Sequence, residues 1–187
     1  MVQSPVCCIR RAFVGAVRAL GAIAFVATLT SAGALPANAA TRTEKAFGSW
    51  AVVCNEPDNE PKSCSMMQSH VQPIKDSNKT RLVLRWAISI NKDREQTQAV
   101  VVPTGVSTKE GVRLFLGDAA PMVIQYSFCG PRVCLATAPI DARVAAAIKA
   151  SKKASASYVL GSKKLVQIPL DLNGFAEAYD FLVQQLS

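Results

Sequence analysis

The residues of this chain best spaced to do chemistry are four cysteines: Cys54, Cys64, Cys129 and Cys134. Four thiols allow three disulfide pairings, and spacing alone does not decide strictly among them. It favours Cys54–Cys64 and Cys129–Cys134. Each of these pairs brackets turn-forming residues, Glu56-Pro57-Asp58-Asn59 in the first and Gly130-Pro131 in the second, as a bridge across a hairpin requires. Two other chemistries fit less well. A zinc site accepts the four residues between Cys129 and Cys134 but not the nine between Cys54 and Cys64. A redox-active pair calls for Cys-x-x-Cys, which Cys129-Gly-Pro-Arg-Val-Cys134 is not.

Catalytic candidates are few. His70 is the one histidine, and no G-x-S-x-G, H-E-x-x-H or phosphate-cradling glycine loop accompanies it. It reads as an ordinary polar residue on a strand face. The acids are scattered, with no general acid/base pair legible in the spacing. No catalytic residue, metal site or cofactor site is expected. Lys149, Lys152, Lys153, Lys163 and Lys164 form the densest basic cluster, with no acid between Asp141 and Asp171. They read either as a solvated face or as a docking surface for anionic head groups, sugars or acidic proteins. The interleaved aromatics of single-strand nucleic-acid binding are missing. The expected partner is therefore an unidentified protein or an anionic envelope or surface component, and not a nucleic acid.

The elements that position these residues follow a leader. Arg10, Arg11 and Arg18 form a basic stretch, Ala19 to Thr30 is uncharged, and Ala37-Asn38-Ala39 supplies an A-x-A cleavage pattern. Residues 1–39 are expected to be a cleavable signal peptide. The alternative is a retained transmembrane anchor, which Gly33 and Pro36 disfavour. Ile9-Arg10-Arg11-Ala12-Phe13-Val14 also fits a twin-arginine pattern, so the export route stays open. The expected location is the periplasm, the outer membrane or the medium, where disulfides persist. Cys7 and Cys8 would be lost with the leader, and no transmembrane span would remain.

Residues 40–187 then make one domain of 148 residues, enough for a single core. Removing the three leader arginines from 21 basic residues leaves 18 against 13 acids, a net charge of +5. Short alternating runs dominate: Phe47–Cys54, Ser63–Val71, Arg81–Ile90, Gln98–Val102, Gly111–Leu116, Met122–Phe128, Val133–Ala138, Ala156–Leu160 and Leu165–Ile168. In the clearest, Leu82, Leu84, Trp86, Ile88 and Ile90 share one face. Strands this close together leave no room for crossover helices, which excludes a parallel α/β sheet. The expected fold is mainly β, an antiparallel β-sandwich with two short helices, one of them C-terminal. Asp141 can cap Ala142–Ala150, with Val144 and Ile148 on one face. Phe175, Tyr179, Leu182 and Leu186 recur at helical spacing, with Asn173 as the expected cap.

From about Phe47 to the C-terminus the chain resembles the invasion-associated locus B family of exported bacterial proteins. The resemblance rests on Phe47-Gly48-Ser49-Trp50 leading to Cys54, then Cys64, Val102-Pro103-Thr104-Gly105-Val106 and Gly111-Val112. It continues through Cys129-Gly130-Pro131-Arg132-Val133-Cys134-Leu135-Ala136 and Pro169-Leu170-Asp171-Leu172-Asn173-Gly174-Phe175. It implies a compact β-rich domain outside the cytoplasm, and some members in intracellular pathogens are linked to invasion of host cells. No cofactor or catalytic residue comes with the resemblance. The expected function is a non-enzymatic envelope or surface interaction protein. A periplasmic housekeeping factor, binding envelope components or assisting outer-membrane protein maturation, is the alternative.

Overall fold

The alternating runs become eleven strands in a computed structural model that describes residues 41–57, 60–91 and 93–185. The expected signal peptide lies outside the described residues, as do Asp58, Asn59 and Leu186. In chain order the strands are β1 (Thr41–Phe47), β2 (Trp50–Glu56), β3 (Ser63–Pro73), β4 (Thr80–Ile90), β5 (Gln96–Pro103) and β6 (Val112–Leu116). They continue as β7 (Met122–Ile124), β8 (Tyr126–Cys129), β9 (Val133–Pro139), β10 (Ala154–Val159) and β11 (Leu165–Leu170). Helix α1 (Ala142–Ala150) precedes β10, and α2 (Phe175–Gln184) follows β11.

Seven strands form the larger sheet, in the order β1-β2-β3-β4-β5-β9-β8, and four form the smaller, β11-β10-β6-β7. Strand pairing is antiparallel throughout. The smaller sheet covers part of the inner face of the larger. Tyr158 of β10 donates to the Val83 carbonyl of β4, and Gln98 of β5 donates to the Met122 sulfur of β7. Helix α2 covers the rest. Its Phe175 ring packs 5.1 Å from Trp50 and 6.1 Å from Trp86, and Phe181 sits 5.3 Å from Phe47.

The expected sandwich is therefore present, with four local differences. The run expected as one strand from Phe47 is a hairpin, because Gly48 at φ +53° turns β1 back along β2. The run Met122–Phe128 divides: β7 belongs to the smaller sheet and β8 to the larger, so the chain changes sheets there, as a sandwich corner does. Leu82 does not share the face of Leu84, Trp86, Ile88 and Ile90. Register slips between His70 and Val71, so Val83 is the extra residue of a β-bulge and is buried beside Leu84, while Leu82 pairs with the exposed Val71. Asn173 does not cap α2. Gly174 holds that position at φ +82° with no side-chain cap.

Helix α1 matches its expected bounds, and the Asp141 carboxylate accepts the Val144 N–H at 2.8 Å. Its buried face holds Ala145 and Ile148, with Val144 half-buried. Cys54 and Cys64 face each other across β2 and β3, with sulfurs 2.10 Å apart. Cys129 and Cys134 do the same across β8 and β9 at 2.07 Å.

Phe175 is 1% exposed among three other rings, so Phe175→Ala should cost about 3–5 kcal/mol of stability. Urea denaturation measures this, and an unchanged midpoint would show that α2 is peripheral. Replacing both Cys129 and Cys134 by serine should cost about 2–3 kcal/mol in the chain-entropy model while leaving the sandwich folded, read by the same titration.

Candidate functional site

The densest polar arrangement joins β3 to the end of β11. Alternation places Gln68 on the inner face of β3 beside Met66, and it is 4% exposed. A buried amide needs partners at both ends. Its Nε2 donates to the Asp171 carbonyl at 3.0 Å, and its Oε1 accepts the Asp171 N–H at 3.2 Å. Those two bonds fix the amide orientation. His70 Nε2, 3.0 Å from the same Oε1, must therefore donate, which leaves Nδ1 without a proton in the neutral ring. Trp50 Nε1 also donates to the Asp171 carbonyl, at 3.0 Å.

The Asp171 carboxylate accepts the Ser49 hydroxyl and, at 2.9 Å, the Asn173 N–H. These two bonds, the serine's first, hold its pKa below the ordinary carboxylate value. Burial lowers the His70 pKa, and the Asp171 charge opposes that shift. Serine, histidine and aspartate are thus neighbours, but they are not wired as a proton relay. Ser49 donates directly to Asp171, and His70 bonds to Gln68, so no base of raised pKa faces the hydroxyl.

The backbone beneath is closely packed. Ser49 N–H donates to the Asn173 carbonyl at 3.1 Å. A Cβ on Gly48 would lie 2.6 Å from the Asn173 oxygen, and one on Gly174 would lie 2.0 Å from the Phe47 oxygen. Both positions need glycine for space as well as for positive φ. The two turns therefore clasp each other and set α2 on the sheet. Lys45 adds a cation–π contact, 5.0 Å from the Phe47 ring centre and 4.6 Å from that of Phe181.

The five lysines do not form one patch. Lys149 bonds to Asp180 and lies 4.8 Å from the Tyr179 ring centre, so it ties α1 to α2. Lys152 and Lys153 precede β10 and border a groove of about 470 Å³. Lys163 and Lys164 lie in the turn at the other end of β10. Six strand residues separate the two pairs, roughly 20 Å at ~3.3 Å per residue. Their closeness in the sequence concealed both the helix–helix pairing and that distance.

Tyr126 has a buried hydroxyl with no hydrogen-bond partner among the described residues, and burial, then Tyr158, pushes its pKa up to about 12. Among the described residues no three His, Cys, Asp or Glu side chains converge to hold a metal ion. No described helix is long and apolar enough to cross a membrane.

These features define a disulfide-stapled antiparallel β-sandwich whose C-terminal helix is clasped to the larger sheet. Residues 50–183 match the family model described as Invasion associated locus B (IalB) protein, and the chain belongs to that family. It is similar in fold to the crystal structure of invasion associated protein B from Bartonella henselae, with a TM-score of 0.63 and 22% identity. The match covers 76% of this chain and 96% of that one. No curated protein matches the chain.

The cluster sets a pH dependence. The folded His70 resists a proton that the unfolded chain accepts near pH 6.5, so stability is complete above that value and falls as pH drops through the lowered folded pKa. A second loss should come below the ordinary Asp171 value of 3.8. His70→Gln should remove the first loss and leave the second. Urea midpoints measured against pH test this, and a variant as sensitive as wild type near pH 6 would refute the assignment.

Proposed function

We propose that this is an exported, non-enzymatic interaction protein of the cell envelope or surface, of the kind linked within its family to invasion of host cells. The observation that carries this reading is the outward face of the larger sheet. Register aligns Ala51, Met67, Ala87, Ala99 and Thr137 in one row across β2, β3, β4, β5 and β9. The adjacent row holds Ser69, Arg85, Val101, Leu135 and Phe128. From β2 to β9, Arg85 is the single charged residue that alternation directs outward among the described residues.

An antiparallel sheet face that meets only water normally alternates toward polar side chains. A broad face with one charge and apolar Met67, Val101, Leu135 and Phe128 near its middle and edge supports a contact role. Phe128, 62% exposed at the edge, extends it. The non-enzymatic part of the reading is supported by the wiring of Ser49, His70 and Asp171. The extracytoplasmic part is supported by the two cysteine pairs and the leader pattern.

The test places charge on that face. Val101→Glu with Leu135→Glu, shown to be folded by circular dichroism, should shift the protein from the envelope or cell-surface fraction into the soluble one. Equal partition of variant and wild type among periplasm, outer membrane and medium would contradict the reading.

A further inference from the structure

We propose that the groove before β10 binds an amphiphilic anion: an acidic head group carried on an apolar chain or ring. The site lies on the smaller sheet, on different strands from the uncharged face above. Antiparallel register sets Phe115, Ser155 and Pro169 side by side across β6, β10 and β11 on the outward face. Phe115 and Pro169 make the floor largely apolar, with the buried Leu170 at its end, and Lys152 and Lys153 also line it. The volume of about 470 Å³ falls within the ~300–1,000 Å³ typical of small-molecule sites. The rim is open at Gly117, where an added Cβ would meet nothing within 4 Å.

Charge selects the sign of the ligand. Lys152 and Lys153 are exposed and form no ion pair among the described residues. Of the two acids next to the groove in sequence, Asp171 has its carboxylate taken by Ser49 and Asn173. Asp118, in the turn after Gly117, makes no ion pair with either lysine. Two ammonium groups on flexible stems suit a carboxylate, sulfate or phosphate without demanding one geometry.

Hydrogen bonding selects an amphiphile over a peptide. The backbone of β10 is paired on both sides, with β6 and with β11. Gly117 N–H is taken by the Lys153 carbonyl at 2.8 Å, while the Ser155 oxygen accepts from Gln167 Nε2 at 3.2 Å and keeps its O–H as one donor to an anion. Pro169 has no N–H to offer. On the sheet face that carries the groove a peptide would meet side chains, since main-chain pairing among the groove's strands is open only along the edge of β11. Apolar contact and charge are what the groove provides.

Calorimetry on the exported protein purified from cells tests this, with dodecyl phosphate, inorganic phosphate and dodecyl maltoside as probes below their micelle concentrations. Amide shifts at Gly117, Ala154 and Ser155 would locate the binding. Dodecyl phosphate should bind one to one, more tightly than either other probe. Lys152→Glu with Lys153→Glu should weaken it by about tenfold or more, equivalent to ~1.4 kcal/mol, and raised salt should weaken it too. Phe115→Ala should also lower affinity, whereas Lys163→Glu with Lys164→Glu should not. Equal binding of dodecyl maltoside or of inorganic phosphate, no binding of dodecyl phosphate, or indifference to the Lys152 and Lys153 changes would overturn the proposal. None of these outcomes bears on the outward face of the larger sheet.

Discussion

The contact on which the rest of the structure depends is the clasp of Gly48 against Gly174, locked by Asp171. The larger sheet has more inner face than the smaller sheet can cover. Trp50, Trp86 and Met66 would face water on the uncovered side if α2 moved away, and each is now at most 1% exposed. Exposing side chains of that size costs ~1.5–3 kcal/mol apiece. A ten-residue helix is marginal in isolation, so its place is set by its start. The Asp171 backbone and carboxylate receive bonds from Trp50, Gln68, Ser49 and Asn173. Two glycines at positive φ let the turns meet backbone to backbone. One residue thereby fixes the entry angle of α2, the inner edge of β3 and the β1–β2 hairpin.

What was legible in the sequence was local. Alternation in β4, the Asp141 cap and the stripe of Phe175, Tyr179 and Leu182 each depend on neighbours a few residues away, and each marks its element correctly. The misreadings occur where distant parts of the chain decide. Gly48 reads as a passing residue until Asn173, across the chain, requires a turn there. Val83 looks like an outward residue until the β3 register makes it a bulge. The bonds from Ser49 and Gln68 to Asp171 span 122 and 103 residues, beyond any spacing rule. One clue was available: Gln68 occupies an inward position in an apolar run, where a polar side chain must find partners. The lysines illustrate the opposite error. Their closeness in sequence suggested one patch, but a strand runs between the two outer pairs and Lys149 turns toward α2.

The two sheets present different chemistry on their outward faces. On the larger, from β2 to β9, small, apolar and uncharged polar residues surround a single arginine, which suits a protein surface of matching flatness. On the smaller, lysines border an apolar floor at one end of β10. Neither face contributes to the clasp, so each can vary without unseating α2. The likeness to the Bartonella henselae structure extends over 96% of that chain and is one of fold.

Native-state hydrogen exchange across β4 and α2 tests the clasp most directly. If Asp171 joins α2 to the core, amides in α2 should be released only with those of Trp86 and Ile88, at the free energy of global unfolding. In Asp171→Ala, the α2 amides should then open first and separately. Exchange of α2 by an independent low-energy opening in the wild-type protein, with β4 still protected, would contradict the central role given to this contact.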